Sequence, residues 1–215
     1  IRDVAVTGVQ TCALPIWVAL HEHEVRAGRW STGVLQPMYR LRGRTLGLVG
    51  YGRIARMTHA MLEGYGFARV LVHDPHATLP ASVVPASVDE ICREADVISL
   101  HAPLTPETRH LIDGRRLSLM RPTAVLLNTA RGGLVDLDAL AAVLADRRIH
   151  GAGLDVFETE PPDTTHPIFR LDNAVLTNHI GWYSEEAMRD VQRKAAEEAV
   201  RVLSGLAPRH WLNPW

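Results

Sequence analysis

Cysteine is scarce in the 215-residue chain. Only Cys12 and Cys92 occur, and their spacing suggests neither a zinc site nor a disulfide framework. A reducing, cytoplasmic setting is the expectation that follows. Long apolar runs are missing too. None reaches the roughly 20 residues that span a bilayer. The nearest approach, 9–20, is interrupted by Gln10, Thr11 and Pro15, with no basic cluster before it and no clean cleavage site after it. It does not read as a signal peptide. An excess of positive charge is also lacking. The formal net charge is -1, with Lys and Arg spread thinly, so nucleic acid and anionic membranes are not expected as partners. There is no internal repeat, no low-complexity segment and no initiating Met. The chain therefore reads as a piece of a longer protein.

What is present is ordinary globular material. Apolar residues make up 47% and charged residues 22%, which is enough to bury a core in one large domain or two small ones. From Arg44 onward, short apolar runs alternate with helical stretches. TLGLV (45–49), RVLVH (69–73), 97–100, 124–127, 151–156 and 174–177 read as buried strands. Helices are predicted over 53–63, over 88–95 with Ser87 and Glu90 at capping-box spacing, and over 136–147 with Leu140, Val143 and Leu144 on one side. A last helix starts at a Ser184 cap, repeats Met188, Val191, Ala195, Ala199 and Val202 at helical spacing, and is closed by Gly205. Apolar strands separated by helices predict an α/β fold, a doubly wound parallel sheet covered on both faces.

The most informative segment is Gly50-Tyr51-Gly52-Arg53-Ile54-Ala55, between the first strand and its helix. Glycines there permit a tight turn and let the backbone approach a pyrophosphate, whose charge sits at the positive helix N-terminus. Ala55 stands at the third small position. Such a loop alone is weak evidence. Asp74, directly after the second strand, strengthens it, because its carboxylate suits both ribose hydroxyls and repels the 2'-phosphate of NADP. NAD is the expected cofactor, with Arg53 or His76 placed to soften that choice. A structural strand–turn–helix is the plain alternative. His21 and His23 are two apart, a spacing that points them away from each other on a helix, so no metal is expected.

LHAPLTPETRHLI (100–112), LLNTARGGLVD (126–136), GLDVFETEPP (153–162) and LTNHIGWYSEEA (176–187) share the chain with the glycine loop. Together they resemble the D-isomer-specific 2-hydroxyacid dehydrogenases, the family of phosphoglycerate dehydrogenase and the C-terminal-binding proteins, over residues 17–215. The resemblance implies a Rossmann NAD-binding domain and a catalytic set of Arg131, Glu160 and His179. Arg131 would clamp the substrate carboxylate, since a planar guanidinium matches it with two parallel hydrogen bonds. His179 would be the general acid toward a 2-oxo acid and the base toward a 2-hydroxy acid, held by Glu160. A carboxylate beside a histidine favours the imidazolium and keeps an acid available near neutral pH. Glu158, two residues away, competes with Glu160 for that role, and His101 also follows an apolar strand.

By the same route, Gly50, Gly52 and the amides of Arg53 and Ile54 would face the pyrophosphate. His101, Ala102 and Pro103 would line the adenosine side, and Thr129, Ala130 and Arg131 the nicotinamide ribose. Asp155 would bond the carboxamide, and His179 and Gly181 would lie near the ring. Trp182 either borders an apolar substrate side chain or packs on a neighbouring subunit or domain. The resemblance also suggests a homodimer.

The chain departs from the family at its start. Residues 1–16 look foreign, 17–43 like a helix and linker left from a substrate domain, 44–183 like the cofactor domain, and 184–215 like a segment returning to the substrate domain. Low turnover is the expectation. An NAD(H)-responsive, corepressor-like interaction module is the competing reading, and a non-catalytic remnant is a third. The intact Arg131, Glu160 and His179 speak for an enzyme.

Overall fold

In a computed structural model the described residues are 22–30 and 39–209. The opening segment 1–16, Cys12, His21 and the tail from His210 lie outside them. The described residues divide into two compact units, one ending at His179 and one beginning at Ile180.

The first unit is built on seven strands, β1 (Thr45–Val49), β2 (Arg69–His73), β3 (Val84–Pro85), β4 (Val97–Leu100), β5 (Val125–Asn128), β6 (Gly151–Leu154) and β7 (Ala174–Leu176). They form one sheet in the order β3-β2-β1-β4-β5-β6-β7, and every neighbouring pair is parallel. Four helices connect them: α1 (Arg53–Leu62), α2 (Val88–Glu94), α3 (Gly114–Leu119) and α4 (Leu137–Ala145). This is the predicted α/β fold.

Period-two alternation within buried strands produces two cores, one per face. Leu46, Leu48, Val97, Val125 and Leu127 pack with Tyr51, Ala55 and Leu62. Val49, Ile98, Leu100, Leu126 and Leu154 pack with residues of α2, α3 and α4, among them Ile91, Leu117, Leu140 and Leu144. Both faces exclude water, so the strands carry continuous apolar runs. Gly47 lets α2 press onto β1, because a Cβ there would stand 2.5 Å from an Ile91 methyl. Cys92, inside the second core, has its thiol pushed up to about 11 by burial.

Local chemistry sets the ends. The Ser87–Glu90 capping box forms, with Ser87 Oγ accepting the Glu90 amide at 3.2 Å and Glu90 accepting the Ser87 amide at 2.7 Å. Asp136 caps α4. Two elements escaped the sequence reading. β3 is a two-residue, exposed edge strand whose Pro85 suits an edge. α3 spans six residues, too few for helical periodicity to register, although Asp113 caps it. β6 also stops two residues earlier than expected, where the chain turns to present Asp155.

The second unit contains α5 (Glu185–Leu203), capped by Ser184 through the Ala187 amide and ended by Gly205 at φ +76°. Val200, Val202 and Leu203 are exposed on it. Among the described residues no helix is long and apolar enough to cross a membrane.

Leu126 is fully buried on a central strand. Leu126→Ala should cost about 2–5 kcal/mol, read as a lower urea midpoint with an unchanged m value. A shift under about 1 kcal/mol contradicts the two-faced core.

Candidate active site

In a parallel sheet the C-terminal strand ends share one rim, where side chains just past the strands converge. Gly50 follows β1, His101 follows β4, Arg131 lies three residues past β5, Asp155 follows β6, and His179 lies three residues past β7. The rim therefore gathers every candidate of the first unit.

At β1 the glycine loop is held closely. Gly50 has φ +92°, and a Cβ there would lie 2.7 Å from the His101 and Ala102 backbone. Only glycine satisfies both conditions. At Gly52 an added Cβ would meet nothing within 4 Å. Gly52 is also the N-cap of α1, which has no side-chain cap and no acidic residue in its first turn. The positive end of a ten-residue helix thus lies without a side-chain cap beside open space, which fits a diphosphate. Tyr51 is buried, with its hydroxyl 2.8 Å from His59 Nδ1. Its amide donates to Asp74 Oδ2 at 2.7 Å, while Asp74 Oδ1 accepts the amides of His76 at 2.8 Å and Ala77 at 3.0 Å. Burial opposes ionisation of Asp74, but the three amides outweigh it and hold the carboxyl below its ordinary value.

His101 has its Nε2 2.9 Å from Ser99 Oγ, and burial pushes its imidazole down to about 4. The imidazole is therefore neutral near pH 7. Ala102 is buried and Pro103 exposed.

The turn after β5 presents Arg131. Asn128 staples it: Oδ1 accepts the Ala130 amide at 3.1 Å, and Nδ2 donates to the Arg131 carbonyl at 2.9 Å. Thr129 and Ala130 are partly buried in the turn, and Arg131 is exposed. Next to it, a Cβ on Gly132 would lie 1.9 Å from the Phe157 carbonyl carbon and 2.2 Å from the Glu158 nitrogen. The β5 and β6 loops thus touch backbone to backbone. Sequence reading missed Asn128 and Gly132. An Asn directly after an apolar strand, followed by paired glycines, is the signal that was there to find.

His179 Nδ1 lies 2.8 Å from Glu160 Oε2, and Glu160 Oε1 accepts the Phe157 amide at 3.0 Å. A carboxylate accepts, so Nδ1 carries the proton and Nε2 is the ring nitrogen that Glu160 does not engage. The Glu160 carboxyl is held below its ordinary range, first by the His179 bond, then by the Phe157 amide, with the His179 and Arg131 charges adding to them. His179 adopts the left-handed region at φ +57°, and its amide donates to the Asp155 carbonyl at 2.7 Å. Asp155 is buried and accepts from the Thr177 hydroxyl. Glu158 faces elsewhere, toward Arg109 and His110. A cleft of about 550 Å³ adjoins the pair, lined by Phe157, Glu160, Pro161, Phe169, Leu176 and His179 among others.

Gly181 and Trp182 lie in the second unit. There Trp182 is exposed and meets Tyr183 edge-on at 5.7 Å. Among the described residues no group of three or more His, Cys, Asp or Glu is placed to hold a metal.

Sheet order, glycine loop and Asp74 define a dinucleotide-binding α/β domain. The family described as "D-isomer specific 2-hydroxyacid dehydrogenase, NAD binding domain" matches residues 17–181, and the chain belongs to it. The chain is 37% identical over 198 residues to a glyoxylate reductase of Thermococcus litoralis, covering 88% of this chain and 60% of that protein. To a hydroxypyruvate reductase of Thermotoga maritima it is 35% identical over 206 residues, covering 91% and 66%. Among solved structures, the D-lactate dehydrogenase of Aquifex aeolicus complexed with NAD and lactic acid matches with TM-score 0.83 and 29% identity, covering 95% of this chain and 68% of that one. The chain spans about two thirds or less of the curated relatives it matches.

Gly132→Ala should destabilise by about 1–3 kcal/mol or more, because backbone must move to admit the methyl. Gly52→Ala should cost no more than about 1 kcal/mol. Equal urea midpoints for the two variants would contradict the backbone contact at Gly132.

An unfolded histidine takes its proton near pH 6.5, whereas folded His101 takes it only near 4. Between those values the unfolded state binds more protons, so stability present above about pH 6.5 is lost as pH falls toward 4. His101→Gln should remove that part of the acid slope in urea titrations at pH 7, 5.5 and 4.5. An unchanged slope contradicts a neutral, partly buried His101.

Proposed function

We propose that this chain is the cofactor half of an NAD-dependent oxidoreductase interconverting a D-2-hydroxy acid and its 2-oxo acid. The observation that carries the reading is the 2.8 Å His179–Glu160 pair with Arg131 close enough for its charge to bear on Glu160, on the same rim as the glycine loop. Membership of the family supports it. Residues 44–183 are read as the cofactor domain and 184–215 as a segment returning to a substrate domain.

The loop at Gly50 and Gly52 and the first amides of α1 would hold the pyrophosphate, and Asp74 the ribose. Asp74 brings a negative charge that disfavours the 2'-phosphate of NADP. When bound, the nicotinamide supplies the hydride to carbon 2. Arg131 would bind the substrate carboxylate in two parallel hydrogen bonds, which fixes the face that carbon 2 presents. His179 Nε2 then gives its proton to the carbonyl oxygen as that oxygen takes up the electron pair, and in reverse removes it from the hydroxyl. Glu160, on Nδ1, would fix the orientation and tautomer of the ring. Asp155 would hold the carboxamide while its carbonyl fixes the His179 backbone. The names of the relatives favour small 2-oxo acids such as glyoxylate and hydroxypyruvate as first substrates to try.

NADH oxidation is to be followed with those acids and pyruvate, at enzyme concentrations high enough to resolve slow turnover. His179→Asn should lower kcat about 10²- to 10⁴-fold, and Asp74→Ala should weaken NADH more than NADPH, as read by nicotinamide fluorescence. Failure of the wild-type chain to bind NADH, or equal rates with and without the imidazole, overturns the reading.

A further inference from the structure

Glu158 touches neither Arg131 nor His179, yet it stands where three rim loops meet. Its carboxylate pairs with Arg109 and, at 3.1 Å, with His110 Nε2. That couples the loop after β6 to the loop after β4, 48 and 49 residues apart in sequence. The β4 loop in turn grips the turn that carries Arg131. The His110 amide donates to the Gly133 carbonyl at 2.7 Å, the Ile112 amide donates to the Leu134 carbonyl at 2.9 Å, and Ile112 and Val135 form a parallel bridge. Leu104 packs on Gly133, where a Cβ would stand 3.1 Å from it. The circle closes at Gly132, which lies against the Phe157–Glu158 peptide with no room for a methyl.

We infer that Glu158 is a positioning residue, which acts through Arg109, His110 and the Gly132 contact to set where the Arg131 guanidinium is presented. Its side chain is 36% exposed and that of Arg109 54%. Pairs so open to water add little to global stability. Their consequence is geometric: two partners on one carboxylate fix the peptide at 157–158, and that peptide is the floor of the Arg131 turn. The inference rests on the reading that Arg131 receives the substrate carboxylate.

The test uses the 215-residue chain with Glu158→Gln, which keeps the shape and removes the charge. Oxamate, an unreactive analogue of a 2-oxo acid, is titrated in the presence of NADH, and amide exchange is followed by NMR. In Glu158→Gln the oxamate Kd should rise about tenfold while the NADH Kd stays within about twofold, since surface pairs contribute little elsewhere. Exchange of the His110, Leu134 and Val135 amides should quicken about tenfold, with sheet amides unchanged. Arg109→Gln should reproduce part of the loss, and combining it with Glu158→Gln should add little. Unchanged exchange at those three amides overturns the inference, whether or not oxamate binds. If exchange quickens but oxamate binding is indifferent to Arg131→Ala, the assignment of Arg131 falls while the positioning by Glu158 stands.

Discussion

Parallel hydrogen bonding continues past the ends of the strands, and the site depends on it. The Asp155 amide donates to Asn128 at 3.0 Å, the Thr177 amide to Leu154 at 2.9 Å, and the His179 amide to the Asp155 carbonyl at 2.7 Å. These bonds carry the register of β5, β6 and β7 outward by several residues. The turn bearing Arg131, the buried Asp155 and the left-handed His179 consequently occupy fixed places relative to one another. Without them, a guanidinium on one loop and an imidazole on another, 48 residues apart by number, would have no common frame. Loops positioned by a rigid sheet are where such chemistry is expected.

The two edges of the sheet have separate tasks. At the N-terminal ends of the strands, buried Asp96 accepts the Thr45 amide at 2.9 Å and an Arg44 nitrogen at 3.0 Å, which ties β1 to the start of β4. Nothing in that arrangement asks for a ligand. At the opposite rim the polar groups serve one another, as Asn128 does for the Arg131 turn and Glu160 for the His179 ring. Apolar cores on both faces separate the two edges.

Much of this was legible in the residues. Glycines followed by an aspartate one strand later gave the loop and its partner, apolar runs gave the strands, and Ser87 with Glu90 gave a cap that forms as expected. The resemblance singled out Arg131, Glu160 and His179, which do lie at one rim. Other features depend on contacts that no local pattern encodes. Gly132 is constrained by a peptide 25 residues later in the chain, and Glu158 matters through residues 109 and 110. A six-residue helix leaves too few turns for a periodic signal, and a two-residue edge strand leaves none. The preference for Glu160 over Glu158 as partner of His179 came from the resemblance, because no local pattern separates two carboxylates two residues apart.

The backbone at His179 narrows what evolution or design can place there. A left-handed conformation is disfavoured by about 1–2 kcal/mol for most side chains and is entered most readily by Gly, Asn, Asp and His. At φ +57° the Asp155 carbonyl offsets part of that penalty. Branched aliphatic residues at 179 would lose the imidazole and also push the peptide out of its bend, dragging Thr177 and Asp155 with it. Drift at this position would thus run through a short list of small or amide side chains that keep the curve of the chain.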